Sequence, residues 1–234
     1  MSRHLDEKNK IEYLKKIQLF SSLTADELHK ISGKITIKWF RKNETILHEE
    51  DTNEFMYMIF SGQVKVIKTT GEGKEIILSM HQSGNFFGEM SLIDGKTIPA
   101  SVVATEESLI SLISKKEFFS MLYAQKKVLE NLLSILSSRL RNSWDSIKLL
   151  SFNQASQRIR TLFFMLADEY GNKTDEGVRL DIQLSHQEIS EMTGLTRETV
   201  TRVLDKWQKI GEITIHKNKF IRLNPSFHKR IDLV

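Results

Sequence analysis

The chain has 234 residues, of which 27% are charged, with a formal net charge of +4 and no cysteine. That length supports two domains of ordinary size, and the missing cysteines exclude disulfides, thiolate zinc sites, cysteine-held iron–sulfur clusters and thiol redox switches. No apolar run reaches the ~18 residues of a membrane span, and the N-terminus MSRHLDEKNK is charged where a secretory leader is apolar, which points to a cytoplasmic protein.

Two short helices are expected first, over Lys10–Phe20 and Thr24–Ile31, the second with Thr24 and Glu27 at the positions of a capping box. From Ile35 to Ile113 short apolar or alternating runs are broken by turn signals at Asn43, Asp51-Thr52-Asn53, Ser61-Gly62, Gly71-Glu72-Gly73, Ser83-Gly84 and Asp94-Gly95. Strands at such regular spacing form an antiparallel sandwich or barrel. The glycines at 71 and 73 suit a hairpin turn better than a phosphate cradle. The span FFGEMSLIDGKTIPASVVA, Phe86 to Ala104, contains Gly88-Glu89 and, ten residues on, Ile98-Pro99.

A long helix follows, from Gln125 to Leu150. Leu129, Leu133, Leu136, Leu140, Ile147 and Leu150 recur in steps of four and three, with Ser143 in the one polar slot. This is a heptad seam. The alternative is a helix packed only on its own sheet, but Leu132 and Ile135 widen the apolar face enough to meet both a partner helix and the β domain. Ser151-Phe152-Asn153 reads as a hinge into a helix that buries Phe152, Ile159, Leu162, Phe163 and Leu166. The expected organisation is a β domain over 1–124, a dimerisation helix and hinge over 125–151, and a third domain over 152–234.

In that third domain Ser185 and Glu188 form a capping box, so a helix starts near His186, buries Ile189 and Met192, and stops at Gly194. Thr196 caps a second helix, in which Val200, Val203, Leu204 and Trp207 make one apolar stripe. Arg197, Glu198, Thr201, Arg202 and Asp205 lie on the opposite face. Arg197, Glu198 and Arg202 are types that contact guanine and cytosine edges in a major groove. On an isolated helix such charges would be a solvated face, with Glu198 and Arg202 paired at i, i+4; here the capped helix and glycine turn before it favour base reading. Between Arg197 and Arg230 there are nine basic residues against three acidic ones, a local excess of six that exceeds the charge of the whole chain. Residues 212–216 and 219–223 alternate as strands around Lys217-Asn218, a two-stranded wing that would bring Lys217 and Lys219 to DNA phosphates. The fold expected is α+β, with an N-terminal antiparallel β domain, a long dimerisation helix and a C-terminal winged helix-turn-helix.

The stretch LSHQEISEMTGLTRETVTRVLDKW resembles the DNA-binding module of the bacterial Crp/Fnr family, most specifically in T-R-E-T-V-x-R from Thr196 to Arg202. The β half, 1–124, is similar to the family's β-roll sensor domain, a cyclic-nucleotide-binding-like jelly roll, so the resemblance covers nearly the whole chain. It implies base contacts by Arg197, Glu198 and Arg202 to a TGTGA-like half-site repeated as an inverted pair, phosphate contacts by Ser185, Gln187 and Thr196, and a homodimer. It also identifies Phe86–Ala104 with the phosphate-binding cassette of cyclic-nucleotide-binding domains, where Gly-Glu is followed by Arg-Ser. In this chain Gly88 and Glu89 match, but Ile98 and Pro99 stand at the Arg-Ser positions. A buried phosphate without its cation costs several kcal/mol, and Lys96, nearby, is neither planar nor in register. The hydroxyl pair that meets adenine in the cyclic AMP branch aligns with Ser143 and Trp144, and Trp144 is expected to pack on the sensor domain instead. Both departures argue against cyclic AMP.

Gly88, Glu89, Ile98, Pro99, Ser143 and Trp144 remain the candidate effector pocket, for a ligand the sequence does not identify or for none. His48 and His81 are the candidates for haem ligation, without motif spacing. No nucleophile elbow, zincin helix or P-loop is present, so an enzyme is not expected. The expected partners are double-stranded DNA, a second copy of the chain and, for an activator, RNA polymerase. A ligand-binding module acting on a protein partner is the alternative, but such a scaffold has no reason to expose the Arg197, Glu198 and Arg202 trio.

Overall fold

The computed structural model describes residues 6–216 and 220–228. By packing, the chain forms two units that divide between Ser138 and Arg139, within its longest helix.

The first unit opens with α1 (Glu7–Lys16), one turn of 3₁₀ helix (Gln18–Phe20) and α2 (Ala25–Ser32), whose capping box joins Thr24 and Glu27 as anticipated. The first helix was expected to run on to Phe20, but it stops at Lys16. Leu14, Ile17, Leu19 and Phe20 are all buried, and four positions so spaced do not share one face of a regular helix. The break at Ile17 lets all four reach the core.

Eight strands follow: β1 (Ile35–Phe40), β2 (Thr45–Leu47), β3 (Phe55–Ser61), β4 (Gln63–Thr69), β5 (Glu75–Gln82), β6 (Phe86–Phe87), β7 (Ser101–Ala104) and β8 (Ser108–Ser114), with the short α3 (Glu89–Asp94) between β6 and β7. They form two antiparallel sheets of order β1-β8-β3-β6 and β2-β7-β4-β5. Leu47, Val64 and Val102 of one sheet close on Tyr57, Ile59, Phe87, Ile110 and Leu112 of the other. On the outer face of the first sheet, Met56, Met58, Phe60, Leu109 and Ile113 pack on the helices. β3 and β8 are covered on both faces: β3 reads as a continuous apolar run rather than an alternating one, and β8 buries Ser108 and Ser111 along with its leucines and isoleucines.

α4 (Lys115–Ala124) and α5 (Lys126–Ser151) complete the helical layer. Val128 and Leu132 of α5 are buried in this core and Ile135 and Leu136 pack partly on it, while Leu129, Leu133, Leu140, Ile147 and Leu150 are between 40% and 67% exposed. In a single chain the heptad seam is exposed at every leucine and isoleucine but Leu136.

The second unit contains α6 (Ala155–Tyr170), β9 (Gly171–Thr174), β10 (Gly177–Gln183), α7 (His186–Thr193), α8 (Arg197–Lys209), β11 (Ile213–Ile215), β12 (Phe220–Leu223) and α9 (Pro225–His228). Ser151 belongs to α5 and not to the hinge, and Phe152 is only half-buried, whereas Ile159, Leu162, Phe163 and Leu166 are buried as expected. The sheet has the order β11-β12-β10-β9, so it is larger than the two-stranded wing anticipated. Val178, Leu180 and Ile182 alternate, and that was the available signal for β10; β9, GNKT, is exposed throughout and gives none.

At the centre of this unit Arg160 donates to the Glu212 carboxylate at 2.6 Å and to the Phe227 carbonyl at 2.8 Å. Its guanidinium lies 4.8 Å from the Trp207 ring and 4.3 Å from that of Phe227. One side chain thereby ties α6, α8, the start of β11 and α9 together.

Candidate nucleic-acid interface

α7 begins with a capping box: the Ser185 N–H donates to Glu188 Oε2 at 2.7 Å and the Glu188 N–H donates to Ser185 Oγ at 3.2 Å. It ends at Gly194, whose φ of +66° is the left-handed conformation that glycine tolerates best. Two residues later Thr196 Oγ1 accepts from the Thr199 N–H at 3.2 Å and starts α8. A tight turn so fixed sets the direction in which α8 leaves.

The apolar stripe of α8 buries Val200, Leu204 and Trp207, with Val203 half-buried. On α7 Ile189 is buried but Met192 is only half-buried, a correction to the sequence reading. The opposite face of α8 exposes Arg197, Glu198 and Arg202, which share one open concavity with Thr201, Asp205, Lys206 and Lys209. Among the described residues the three side chains carry no hydrogen bond or ion pair, so the i, i+4 pairing of Glu198 with Arg202 is not formed. All three are available to an outside partner.

The proposed phosphate contacts are arranged differently from a simple hydroxyl donor set. Ser185 Oγ donates to Glu188 Oε2 at 2.7 Å and Thr196 Oγ1 donates to Thr199 Oγ1 at 3.0 Å. Both hydroxyls are therefore held in caps, and the orphan N–H groups of each first turn are what remains for an anion. Gln187 is exposed with its amide on Glu191 at 2.8 Å. Lys217 and Lys219, with Asn218 between them, and also Lys229 and Arg230, lie outside the described residues.

In the first unit the cassette residues serve the fold. Gly88, φ +83°, is the N-cap of α3; a side chain there would come within 2.9 Å of the Tyr57 ring and 3.1 Å of the Phe55 carbonyl. The Asn53 amide donates to the Gly88 and Phe55 carbonyls at 2.9 and 2.7 Å and locks that turn. Glu89 is buried at the start of α3. Ile98 is 3% exposed and packs inside the roll, whereas Pro99 is exposed. Along α5, Ser143 Oγ donates to the Arg139 carbonyl at 2.9 Å. Trp144 is 60% exposed in the single chain, so the burial expected for it is not seen.

His48 is exposed, and His81 is buried with its Nε2 at 3.3 Å from Ser79 Oγ. Among the described residues no cluster of three or more histidine, aspartate or glutamate side chains could hold a metal. No helix among them is long and apolar enough to cross a membrane.

Residues 37–125 match the family model of a cyclic nucleotide-binding domain, and residues 157–226 match that of a Crp-like helix-turn-helix domain. The chain is 30% identical over 198 residues to the global nitrogen regulator of Synechococcus elongatus, across 83% of this chain and 89% of that protein. It is 27% identical to a cyclic AMP receptor protein of Thermus thermophilus, across 84% and 88%. Among solved structures, FixK2 of Bradyrhizobium japonicum superposes with a TM-score of 0.70 at 23% identity, over 81% of this chain and 92% of that one.

Proposed function

Since this chain belongs to the Crp/Fnr family of DNA-binding transcription regulators, we propose that it works as a homodimer that reads an inverted repeat of TGTGA-like half-sites. The observation that carries this reading is the outer face of α8, where Arg197, Glu198 and Arg202 stand exposed and unpaired among the described residues. Arginine can grip the O6 and N7 of guanine with two parallel bonds and glutamate can accept from cytosine N4. The bare seam of α5 supports the dimer, because a twofold protein matches a twofold operator. Its two reading helices would then lie about 34 Å apart, one turn of duplex. An activator of this design would also touch RNA polymerase.

Replacing Arg202 with alanine is expected to relax the preference at one guanine per half-site and to weaken specific binding by roughly 1 to 3 kcal/mol. Competition titrations against duplexes varied at that position measure it. Equal loss on every sequence would mean that Arg202 grips phosphate and that the base-reading assignment is wrong.

The effector, where there is one, is not cyclic AMP on this reading. The side chain at the position of the phosphate-binding arginine is Ile98, packed in the roll interior, and a buried phosphate there would lack its counter-charge. Isothermal calorimetry of the full chain with cyclic AMP is expected to show no micromolar binding. A micromolar isotherm would overturn the argument from Ile98. Regulation by another ligand, haem included, or constitutive activity fits the same output domain. A ligand acts in such a dimer only through unequal affinity for its DNA-competent and incompetent states.

A further inference from the structure

His186 is the first residue of α7 and is only half-buried. Its Nδ1 lies 2.8 Å from Thr201 Oγ1 on α8, and that hydroxyl donates to the Arg197 carbonyl at 3.0 Å. A hydroxyl has one proton to give, so Nδ1 carries the ring hydrogen and donates, and Nε2 of the neutral imidazole is an acceptor. Among the described residues Nε2 has no hydrogen bond and the ring no ion pair. A proton added at Nε2 therefore breaks nothing: the bond to Thr201 stays, and a lone pair becomes a charged donor.

Thr201 lines the open concavity on the outer face of α8 with Arg197 and Arg202, so the imidazole stands where the start of α7 borders that face. In a helix-turn-helix the second helix enters the major groove while the first crosses the DNA backbone, which brings phosphate oxygens, acceptors only, to this border. The protein's own charges leave the ring to them. On α8 the nearest in sequence to Thr201 are Arg197, Glu198, Arg202 and Asp205, none bonded to the imidazole. In α7 the Glu188 carboxylate is held in the Ser185 cap and Glu191 accepts from Gln187. From α6 Arg158 donates to the Phe152 and Thr193 carbonyls, the latter at the far end of α7, and on β10 Asp181 pairs with Arg179. The anion that would stabilise a charged ring is thus the DNA's.

Imidazole is the side chain whose ordinary change of charge falls between about pH 5 and 8. We infer that His186 is a proton-linked DNA contact: on binding, each half-site takes up a proton at Nε2, which then donates to a backbone phosphate, so operator affinity rises as the pH falls toward about 6. This rests on α8 being the base-reading helix. It makes the output domain itself responsive to acidity, with no ligand in the β-roll.

The test uses the full-length chain and the duplex it selects from random sequences, titrated by fluorescence anisotropy over a series of salt concentrations at about pH 6 and about pH 8. Binding at the lower pH is expected to be at least about tenfold tighter, from one charge-assisted hydrogen bond per half-site. The slope of log affinity against log salt should steepen by about 1.8, or about 0.9 for each added phosphate contact. Both differences should vanish in His186→Asn, whose amide can still donate to Thr201, and in His186→Arg, which should bind with the steeper slope at both pH values. Calorimetry of the wild type in two buffers of unequal ionisation enthalpy reads the proton uptake with no variant at all. The inference is overturned by no proton uptake, by equal pH dependence in the wild type and His186→Asn, or by a pH dependence that leaves the salt slope unchanged. In each of these cases a guanine preference that Arg202→Ala relaxes would leave base reading by α8 in place. Selection that returns no preferred sequence overturns base reading and this inference with it.

Discussion

A chain carrying Leu140→Lys and Ile147→Lys is expected to be monomeric at micromolar concentration and to bind a two-half-site duplex on the order of 10²–10⁴-fold more weakly than the wild type. Both side chains lie on α5, one heptad apart, and are 53% and 67% exposed in the single chain, so the substitutions open no buried core position of the subunit. What they remove is the partner. Burying a leucine or isoleucine side chain is worth ~1.5–3 kcal/mol, and a lysine in each of two facing seams adds like-charge repulsion. The loss on DNA follows from avidity: without the dimer the second half-site no longer binds intramolecularly. Sedimentation velocity and a fluorescence titration with the operator measure the two effects, and circular dichroism checks that helix content is retained. A variant that stays dimeric would show that the seam is not the interface, and the operator reading would then need another source of symmetry.

The second large effect concerns the DNA-binding unit itself. Arg160→Ala is expected to destabilise that unit by about 3–5 kcal/mol, the usual result of stripping one partner from a buried ion pair. Glu212 is 2% exposed and would be left without the guanidinium, and the rings of Trp207 and Phe227 would lose the cation packed against them. At about 4–8 °C per kcal/mol for a domain of this size, the melting transition should fall by more than 10 °C. The double variant Arg160→Met with Glu212→Leu is expected to recover much of the loss, because a well-packed apolar pair avoids desolvating two charges. Thermal unfolding followed by tryptophan fluorescence distinguishes the outcomes. A single variant within 1 kcal/mol of the wild type would mean that water or another group satisfies Glu212.

What the sequence disclosed, and what it withheld, follows the range of the interactions involved. The capping boxes at Thr24–Glu27 and Ser185–Glu188, and the glycine stop at Gly194, close within a few residues, and each was legible before any fold was known. The exposed face of α8 was legible for the same reason: helical spacing alone separates Arg197, Glu198 and Arg202 from Val200, Leu204 and Trp207. The end of α1 was not, since it is set by where the distant strands β3 and β8 place the core that Leu19 and Phe20 must reach. Strand β9 pairs through its backbone with β10 and exposes every side chain, so no hydrophobic pattern marks it. Trp144 failed for a third reason. A large aromatic suggests burial, but the surface that covers it need not belong to the same chain. The roles of Ser185 and Thr196 were half legible: their caps could be read, yet the caps engage the very hydroxyls that had been assigned to phosphate.

The first turns of α5 bear a further consequence. Val128 and Leu132 are sunk in the core of the first unit while Leu129 and Leu133, their immediate neighbours in sequence, are 40% and 56% exposed, so the angular phase of the helix is keyed at that end. Each residue added beyond Ser138 would swing Leu140, Ile147 and Leu150 by about 100° around the axis relative to Leu129 and Leu133, whereas seven added residues would return them to within about 20°. On the proposed dimer, insertions of seven or eleven residues there are expected to keep the seam in phase. An insertion of two residues, by contrast, would turn Leu140, Ile147 and Leu150 about 200° away from the face that Leu129 and Leu133 share.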